Sequence, residues 1–168
     1  MSIHRIARSI SRGITKNIAK EITGREYYPQ TNAASLAEVD SVNPWVSRGT
    51  GTFLTNPTDP YSGTYSLRAF SFSINSGGSI DLNPYLTGGT SYNMSFWARH
   101  GGTGGSYQYR LGSTTSDLTG QLLTTTTTST TTWSEVTTSF TFGATNRYLL
   151  LNAISSNGST FIDLISIT

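Results

Sequence analysis

The chain of 168 residues contains no cysteine and few charged residues, and these absences narrow its function. Without cysteine, a disulfide framework, a thiolate metal site and a cysteine nucleophile are all excluded. No stretch approaches the roughly 18 consecutive apolar residues of a membrane span. The N-terminal segment lacks the apolar core of a secretory signal peptide. We therefore expect a soluble, unexported protein that is stabilised by packing.

The residues that are abundant point to β-structure. Charged residues make up 12% of the chain, whereas glycine contributes 17 residues, and residues 124–132 are all threonine or serine. Because β-branched hydroxyl residues suit a half-solvated strand, this composition predicts an all-β domain. The length allows one domain of roughly 120 residues with its own core.

Basic residues are concentrated at the N-terminus. Six of the eleven lysine and arginine residues lie in the first 25 positions with a single acid, Glu21, whereas the remainder has five arginines and eight acids. Isoleucines recur there every three or four residues, and basic residues repeat that spacing on a neighbouring stripe. The pattern predicts an amphipathic, basic α-helical arm over residues 1–25. Its isoleucines are Ile3, Ile6, Ile10, Ile14, Ile18 and Ile22, and its basic residues include Arg5, Arg8, Arg12, Lys16 and Lys20.

An isolated helix of this length and composition is marginal in water, so we expect the arm to bind a partner surface. The isoleucine stripe favours docking into a groove of a larger assembly, or self-association into a small bundle. An anionic membrane is a less favoured partner, and an organelle transit peptide is a further alternative. Nucleic acid is disfavoured because the rest of the chain adds no basic patch. Periodicity is lost over residues 26–43, which we interpret as a linker.

Residues 44–168 alternate between short strand-like segments and turns rich in glycine, proline, asparagine and aspartate. Turn signals at intervals of about ten residues are typical of a β-sandwich or jelly roll. Alternation with a period of two is clearest over 92–99 and 161–167. The predicted strands span 50–55, 65–72, 78–82, 91–99, 106–111, 121–128, 133–142, 147–154 and 160–167.

Four segments of this region carry a resemblance to a known family: DPYSGTYSLR at 59–68, LTGGTSYNMSFWAR at 86–99, TWSEV at 132–136 with FTF at 140–142, and FIDLISI at 161–167. In this order they resemble the galactose-binding-like jelly-roll modules, the carbohydrate-binding modules appended to xylanases and glucanases. The resemblance covers residues 43–168 and implies a jelly-roll β-sandwich. The N-terminal arm also resembles the N-termini of some bacteriophage virion proteins, which carry such sandwiches as capsid or tail decorations.

Residues suited to catalysis are scarce. Nucleophilic or acid–base catalysis needs a histidine or a carboxylate pair in mutual reach. The two histidines are His4, in the arm, and His100, beside a glycine-rich turn. The nine carboxylates are scattered, whereas glycosidase chemistry needs two that face each other. We therefore expect a protein that is not an enzyme.

A sugar site needs aromatic rings that stack on the CH groups of a pyranose, flanked by polar side chains that bind hydroxyls. If Leu67 and Ala69 face the core, their neighbours face outward, and the same alternation turns Trp97 outward. Alternatively, these outward side chains pack beneath a loop, against the linker or against another subunit. The candidate carbohydrate-binding residues are Arg68, Phe70, Phe72, Trp97 and Arg99, with Tyr107 and Tyr109 on a second strand and Trp45 and Tyr61 in loops.

The family resemblance also implies a structural calcium ion, held by an acid near the domain start, carbonyl oxygens of a Ser-Gly-x-Tyr turn and an aspartate of the last strand. The matching aspartates are Asp40 and Asp163, and oxygen ligands suit calcium. Leu164 replaces the usual second acid. Because an aspartate in this apolar strand is costly if buried alone, we expect Asp163 to be paired with a cation or with hydrogen-bond donors.

Two functions fit these features. The preferred hypothesis is a non-catalytic virion structural protein, a capsid or tail decoration and homo-oligomer. In this hypothesis the arm binds capsid or tail proteins, and the displayed jelly roll adheres to surface polysaccharide. The alternative is a carbohydrate-binding module without a virion role. The first hypothesis places the protein in a virion, and the second leaves it soluble.

Overall fold

A computed structural model describes residues 40–71, 73–101, 106–126, 131–143, 145–155 and 158–168. The predicted helical arm, most of the predicted linker and Phe72 lie outside these residues. Within the described ranges the regular structure is entirely β-strand. No helix in these ranges is long and apolar enough to cross a membrane.

All nine predicted strands are present, with ends that differ from the prediction by two residues at most. A further short strand precedes them, and the sequence did not reveal it because three residues are too few to show alternation. The strands are β1 (Val46–Arg48), β2 (Thr52–Asn56), β3 (Ser66–Ser71), β4 (Gly77–Asp81), β5 (Ser91–His100), β6 (Tyr107–Gly112), β7 (Gln121–Thr126), β8 (Ser134–Thr141), β9 (Tyr148–Ala153) and β10 (Gly158–Ile167).

The strands form two five-stranded sheets, and every pairing between neighbours is antiparallel. One sheet, named here the β9 sheet, has the order β1-β4-β9-β6-β7. The other, the β10 sheet, has the order β2-β3-β10-β5-β8. Most connections cross from one sheet to the other. The described part of the chain is therefore the jelly-roll β-sandwich that the sequence predicts.

The core fills the space between the two sheets. Leu67 and Ala69 of β3 are buried, as are Phe96 and Ala98 of β5, which confirms the alternation predicted for these strands. The ring of Phe96 packs on Tyr109 of the opposite sheet, with ring centroids 4.5 Å apart. Because the side chains between these core residues point the other way, each sheet presents a distinct outer face.

Residues 40–43, predicted as the end of the linker, already contact the sandwich. Val42 packs against the core, and its carbonyl oxygen accepts the N–H of Trp45 at 2.8 Å. The hydroxyl of Thr55 donates to the carboxylate of Asp40. The folded unit therefore begins before the predicted boundary at residue 44.

Candidate functional site

The outer face of the β10 sheet carries a cluster of aromatic and arginine side chains, which we call the aromatic face. β3 supplies Arg68 and Phe70, and β5 supplies Trp97 and Arg99. β10 lies between these strands, and its Phe161 is in register with both Arg68 and Arg99. The structure thus brings four of the predicted carbohydrate-binding residues onto one surface, with Phe161 as a fifth member that the sequence analysis did not select.

The rings of the aromatic face are in contact with other side chains of the domain. The ring of Tyr61 stacks on Trp97, with centroids 3.8 Å apart and 10° between the planes. The guanidinium of Arg99 lies 4.1 Å from the centroid of Phe161 and 5.2 Å from that of Trp133, which are cation–π contacts. Because a sugar needs an accessible ring face for stacking, this arrangement favours packing beneath a loop over an open cleft.

Asp163 attaches the loop of Tyr61 to β10. Its carboxylate is fully buried, and it accepts backbone N–H groups from Tyr61 at 2.9 Å, Ser62 at 3.1 Å and Leu164 at 2.8 Å. Amide donors stabilise a buried carboxylate that would otherwise be costly. Of the two kinds of partner expected for Asp163, the structure shows hydrogen-bond donors. Their N–H groups direct positive charge at the oxygens that a cation would need.

The two predicted calcium ligands have separate partners. Asp40 accepts the hydroxyl of Thr55, whereas Asp163 accepts backbone amides. Among the described residues, no three histidine, cysteine, aspartate or glutamate side chains lie close enough to hold a metal. Calcium takes roughly six to eight oxygen ligands, and these two carboxylates with their present partners do not supply such a set. A structural calcium therefore stays a prediction of the family resemblance.

The prediction of Tyr107 and Tyr109 as carbohydrate-binding residues is wrong, because both rings lie inside the sandwich. Their exposed fractions are 0% and 2%, and the hydroxyl of Tyr107 donates to the carbonyl oxygen of Gly158 at 2.7 Å. Alternation along β6 then directs Gln108 and Arg110 outward.

The outer face of the β9 sheet, which we call the β9 face, is rich in polar groups. Arg48 of β1, Gly77 of β4, Asn152 of β9 and Gln108 of β6 form one cross-strand row in register. Residues that share such a row have side chains on the same face of the sheet. The neighbouring row runs through Val46, Ser79, Leu150, Arg110 and Leu122.

Asn152 lies at the centre of the first row and is only 1% exposed. Neither its Nδ2 nor its Oδ1 atom has a hydrogen-bond partner among the described residues. The Oγ atom of Ser79, on the adjacent strand, is also buried and lacks a partner in that part of the chain. A buried polar group without a partner costs roughly 1–3 kcal/mol and requires an explanation. Because Asn152 is buried, a ligand would remove this cost only by displacing the groups that cover the amide and supplying donors and acceptors in their place.

Arg48 extends over Gly77 towards the strand of Asn152. Its Nη2 atom donates to the carbonyl oxygen of Leu151, two strands away, at 3.4 Å. A Cβ atom at position 77 would lie 1.9 Å from the same oxygen, so glycine leaves this crossing open. Burial lowers the pKa of the Arg48 guanidinium, although arginine stays charged at neutral pH. Its Nε atom is buried and has no partner among the described residues.

Gln108 and Arg110 lie on the other side of Asn152. The Nε atom of Arg110 donates to Oε1 of Gln108 at 3.0 Å, and its Nη1 atom donates to the carbonyl oxygen of Gly120 at 2.7 Å. These bonds hold the guanidinium plane in a defined orientation. The β9 face therefore combines two oriented guanidinium groups with carboxamide side chains, which are groups that bind sugar hydroxyls and anions.

A groove of about 450 Å³ lies on the outer side of the β10 sheet, next to the aromatic face along β5. β5, β8 and the end of β10 form it, and its lining consists mainly of small hydroxyl and amide side chains such as Asn93, Thr137 and Ser139. Binding sites usually combine apolar or aromatic walls with a few oriented polar groups. The described lining of this groove has neither rings nor charges, so the β9 face is the stronger candidate site.

Comparison with known proteins identifies the family. The model of the CBM4/9 family, described as a carbohydrate binding domain, matches residues 34–159. The chain belongs to this family. The match begins before the first described residue, which agrees with the contacts that residues 40–43 make with the sandwich. No curated protein matches the chain.

Several solved structures share the fold of this carbohydrate-binding domain. The CBM22-1 xylan-binding domain of Xyn10C from Paenibacillus barcinonensis superposes with a TM-score of 0.63 at 13% identity, covering 76% of this chain and 86% of that one. The CBM22-2 xylan-binding domain of the same protein gives 0.60 at 21% identity, covering 77% and 93%. The C-terminal family 22 module of Clostridium thermocellum Xyn10B gives 0.60 at 18% identity, covering 76% and 86%.

The family and these structural neighbours are non-catalytic binding domains, so the prediction that the protein is not an enzyme is confirmed. The sequence analysis missed Arg48 and Asn152 as candidate binding residues of this carbohydrate-binding domain. A polar residue in the apolar run of β9 was the available signal for Asn152. Arg48 gave no comparable signal, since its strand is too short to show alternation.

Proposed function

We propose that this domain is a carbohydrate-binding module that binds an extended polysaccharide of the xylan type on its β9 face. The observation that carries the proposal is the row of Arg48, Asn152 and Gln108, in which the buried carboxamide of Asn152 has no hydrogen-bond partner among the described residues. The xylan-binding domains that share the fold support the ligand class. A row that crosses four strands suits a ligand longer than one sugar.

The polar groups of the β9 face match what a polysaccharide offers. Each sugar hydroxyl both donates and accepts a hydrogen bond, and the carboxamide of Asn152 can do both as well. Apolar side chains on the same face, Val46 and Leu122, are exposed. Tyr148, half-buried at the start of β9, is in register with Asp81. The face thus provides polar partners for hydroxyls beside apolar surface for CH groups, the combination that carbohydrate recognition requires.

The test is the binding of xylan oligosaccharides to the full chain by titration calorimetry, beside an Asn152→Leu variant. We expect the variant to bind at least about tenfold more weakly, because 1.4 kcal/mol of lost hydrogen bonding corresponds to a factor of ten. Its free energy of unfolding should be unchanged or higher, since the native amide has no partner among the described residues. Equal binding by both proteins would contradict the proposed location.

The aromatic face is the competing location for the same ligand, and a Trp97→Ala variant separates the two. Because Tyr61 covers the ring of Trp97, we expect this variant to retain xylan binding, provided that circular dichroism shows it to be folded. Loss of binding in the folded Trp97→Ala protein, with binding retained in Asn152→Leu, would move the site to the aromatic face.

The helical arm and the role in a virion, which the sequence predicts, stay predictions. The arm over residues 1–25 lies outside the described residues, and the family match does not extend to it. Display on a virion, binding to capsid or tail proteins and homo-oligomerisation are therefore proposals that depend on the arm alone. The family match favours the simpler alternative of a carbohydrate-binding module, and the proposed function holds with or without a virion.

A further inference from the structure

We propose that the polysaccharide bound on the β9 face is acidic, and that Arg48 and Arg110 pair with the carboxylates of its uronic acid residues. This inference rests on the proposed function, because it names the class of polysaccharide for the same site. Two observations on the described residues carry it: Arg48 and Arg110 have no paired carboxylate there, and the buried amide of Asn152 has no hydrogen-bond partner there.

The two arginines of the β9 face have no carboxylate partner in the described part of the chain. The recorded bonds of Arg48 and Arg110 go to carbonyl and carboxamide oxygens. Asp81 also points from the β9 sheet to this side, but Arg147 binds it with an N–O distance of 2.6 Å. Among the described residues, the β9 face therefore has two arginines that no carboxylate pairs with.

Of the other carboxylates from residue 40 onward, Asp40 accepts the hydroxyl of Thr55, and Asp117 lies at the edge of the β9 face beside Gly112 and Leu150. Asp59 pairs with Arg99 on the aromatic face, Asp163 accepts backbone amides, and Asp117 accepts the N–H and hydroxyl groups of Ser113 and Thr119. Glu135 is in register with Trp97 on the β10 sheet. No aspartate or glutamate occurs among the undescribed residues between 40 and 168. In the described part of the chain the β9 face therefore keeps an excess of positive charge, since Arg48 and Arg110 lack a paired carboxylate and Asp117 supplies one negative charge.

The environment of Arg48 increases its preference for an anion. The side chain is half-buried, and its Nε atom has no partner among the described residues. A partly desolvated guanidinium gains more from an opposite charge than a solvated one, because screening by water is weaker. The planar guanidinium fork matches the two oxygens of a carboxylate, and such bonds are stronger than those to neutral hydroxyls.

The two arginines of the aromatic face, Arg68 and Arg99, differ from those of the β9 face in that their guanidinium groups lie against aromatic rings of that face. The guanidinium of Arg68 lies 5.2 Å from the centroid of Phe70 and 5.5 Å from that of Phe161, and Arg99 has both aromatic and carboxylate partners. Arg99 is thus paired with a carboxylate, whereas Arg68 contacts aromatic rings and, like Arg48, has an Nε atom without a partner among the described residues. Arg68 therefore serves as a matched control, since its replacement by glutamine removes the same charge from the opposite side of the sandwich.

The experiment compares glucuronoxylan with the same polymer after its uronic acids have been reduced to neutral sugars, using the full chain in each case. Wild type, Arg48→Gln, Arg110→Gln and Arg68→Gln are titrated with both polymers. The basic arm is present in every protein, so differences between variants report the domain alone. Unfolding midpoints identify any variant that is not folded, and the second β9-face variant keeps the test decisive if one fails.

We expect wild type to bind the acidic polymer at least about tenfold more tightly than the reduced one, a ratio that one or two charge-assisted bonds supply. Arg48→Gln and Arg110→Gln should lose most of this ratio, whereas Arg68→Gln should keep it. Dextran sulfate serves as a general polyanion, and competition by it equal to that by glucuronoxylan would overturn the inference.

Different results would contradict the preference for an acidic polymer and the binding of polysaccharide on the β9 face. Equal binding of acidic and reduced polymers, with affinity still lost in Asn152→Leu, would overturn the acidic preference and leave the proposed function standing. An acidic preference that persists in both β9-face variants would also overturn the inference, because residues other than Arg48 and Arg110 would then bind the uronic acid carboxylates. Absence of binding to either polymer by wild type would contradict the proposed function itself.

Discussion

Asp163 is a single buried carboxylate that joins two segments far apart in the sequence. Its partners are the amides of Tyr61 and Ser62 in the loop before β3 and that of Leu164 on its own strand. Through this contact the position of the loop, and with it the stacking of Tyr61 on Trp97, depends on one side chain.

Asp163→Asn should lower the free energy of unfolding by about 2–3 kcal/mol. The NH₂ group of the asparagine cannot accept hydrogen bonds from the backbone N–H groups that the buried carboxylate now accepts. Urea denaturation measures the change. The control is Asp59→Asn, which removes a carboxylate whose side chain is 70% exposed beside Arg99 and should cost less than about 1 kcal/mol. Similar losses in the two variants would show that Asp163 does not hold the loop.

Among the elements, the pairing of β4 with β9 shapes the candidate site. Gly77 faces Asn152 in this pair, and its φ of 154° is one that residues with a side chain rarely adopt. The missing side chain serves two purposes. It lets the strands approach, and it opens the path by which Arg48 reaches the carbonyl oxygen of Leu151.

Gly77→Ala should destabilise the domain by roughly 3 kcal/mol, because the new Cβ atom would lie 1.9 Å from a backbone oxygen that the sheet cannot move cheaply. Gly88→Ala is the matched control, since a Cβ atom there meets nothing within 4 Å. Thermal unfolding followed by circular dichroism compares the two. A midpoint for Gly77→Ala as high as that for Gly88→Ala would mean that the strand pairing tolerates the side chain.

For the whole molecule, His100 makes stability depend on pH. The side chain is buried in the β10 sheet, and burial lowers its pKa below the ordinary value, against the opposing effect of a backbone hydrogen bond with Ser159. The unfolded chain therefore binds a proton more readily than the folded domain. Stability is full above the unfolded pKa of about 6.5 and decreases as the pH falls below it.

We expect the unfolding midpoint of wild type to decrease between pH 7 and pH 5, and that of His100→Gln to change less over the same interval. Scanning calorimetry at several pH values measures both. His4 in the arm is common to the two proteins and cancels in the comparison. Parallel pH profiles would assign the dependence to another group.

The sequence alone determined the strands and, for several of them, which side chains face the core. Alternation is a local property, so the outward positions of Arg68, Phe70, Trp97 and Arg99 followed from their immediate neighbours. The turn residues indicated where strands end, and the scarcity of paired carboxylates and histidines predicted a protein that is not an enzyme. In β6 the alternation of Tyr107, Tyr109 and Leu111 with Gln108 and Arg110 already favoured a buried tyrosine face. The prediction for the two tyrosines was wrong because it took their rings as sugar-stacking surfaces.

Only the tertiary structure decided which strands are neighbours, and the candidate site depends on that. Arg48 and Leu151 are 103 positions apart in the chain, and Tyr61 and Asp163 are 102 apart, so no local pattern could relate them. Strand order placed Phe161 between two arginines and covered Trp97 with Tyr61. It also left the amide of Asn152 buried beside Arg48 and, among the described residues, without a hydrogen-bond partner. Local periodicity gives the direction of a side chain, whereas its neighbours are set by how the two sheets assemble.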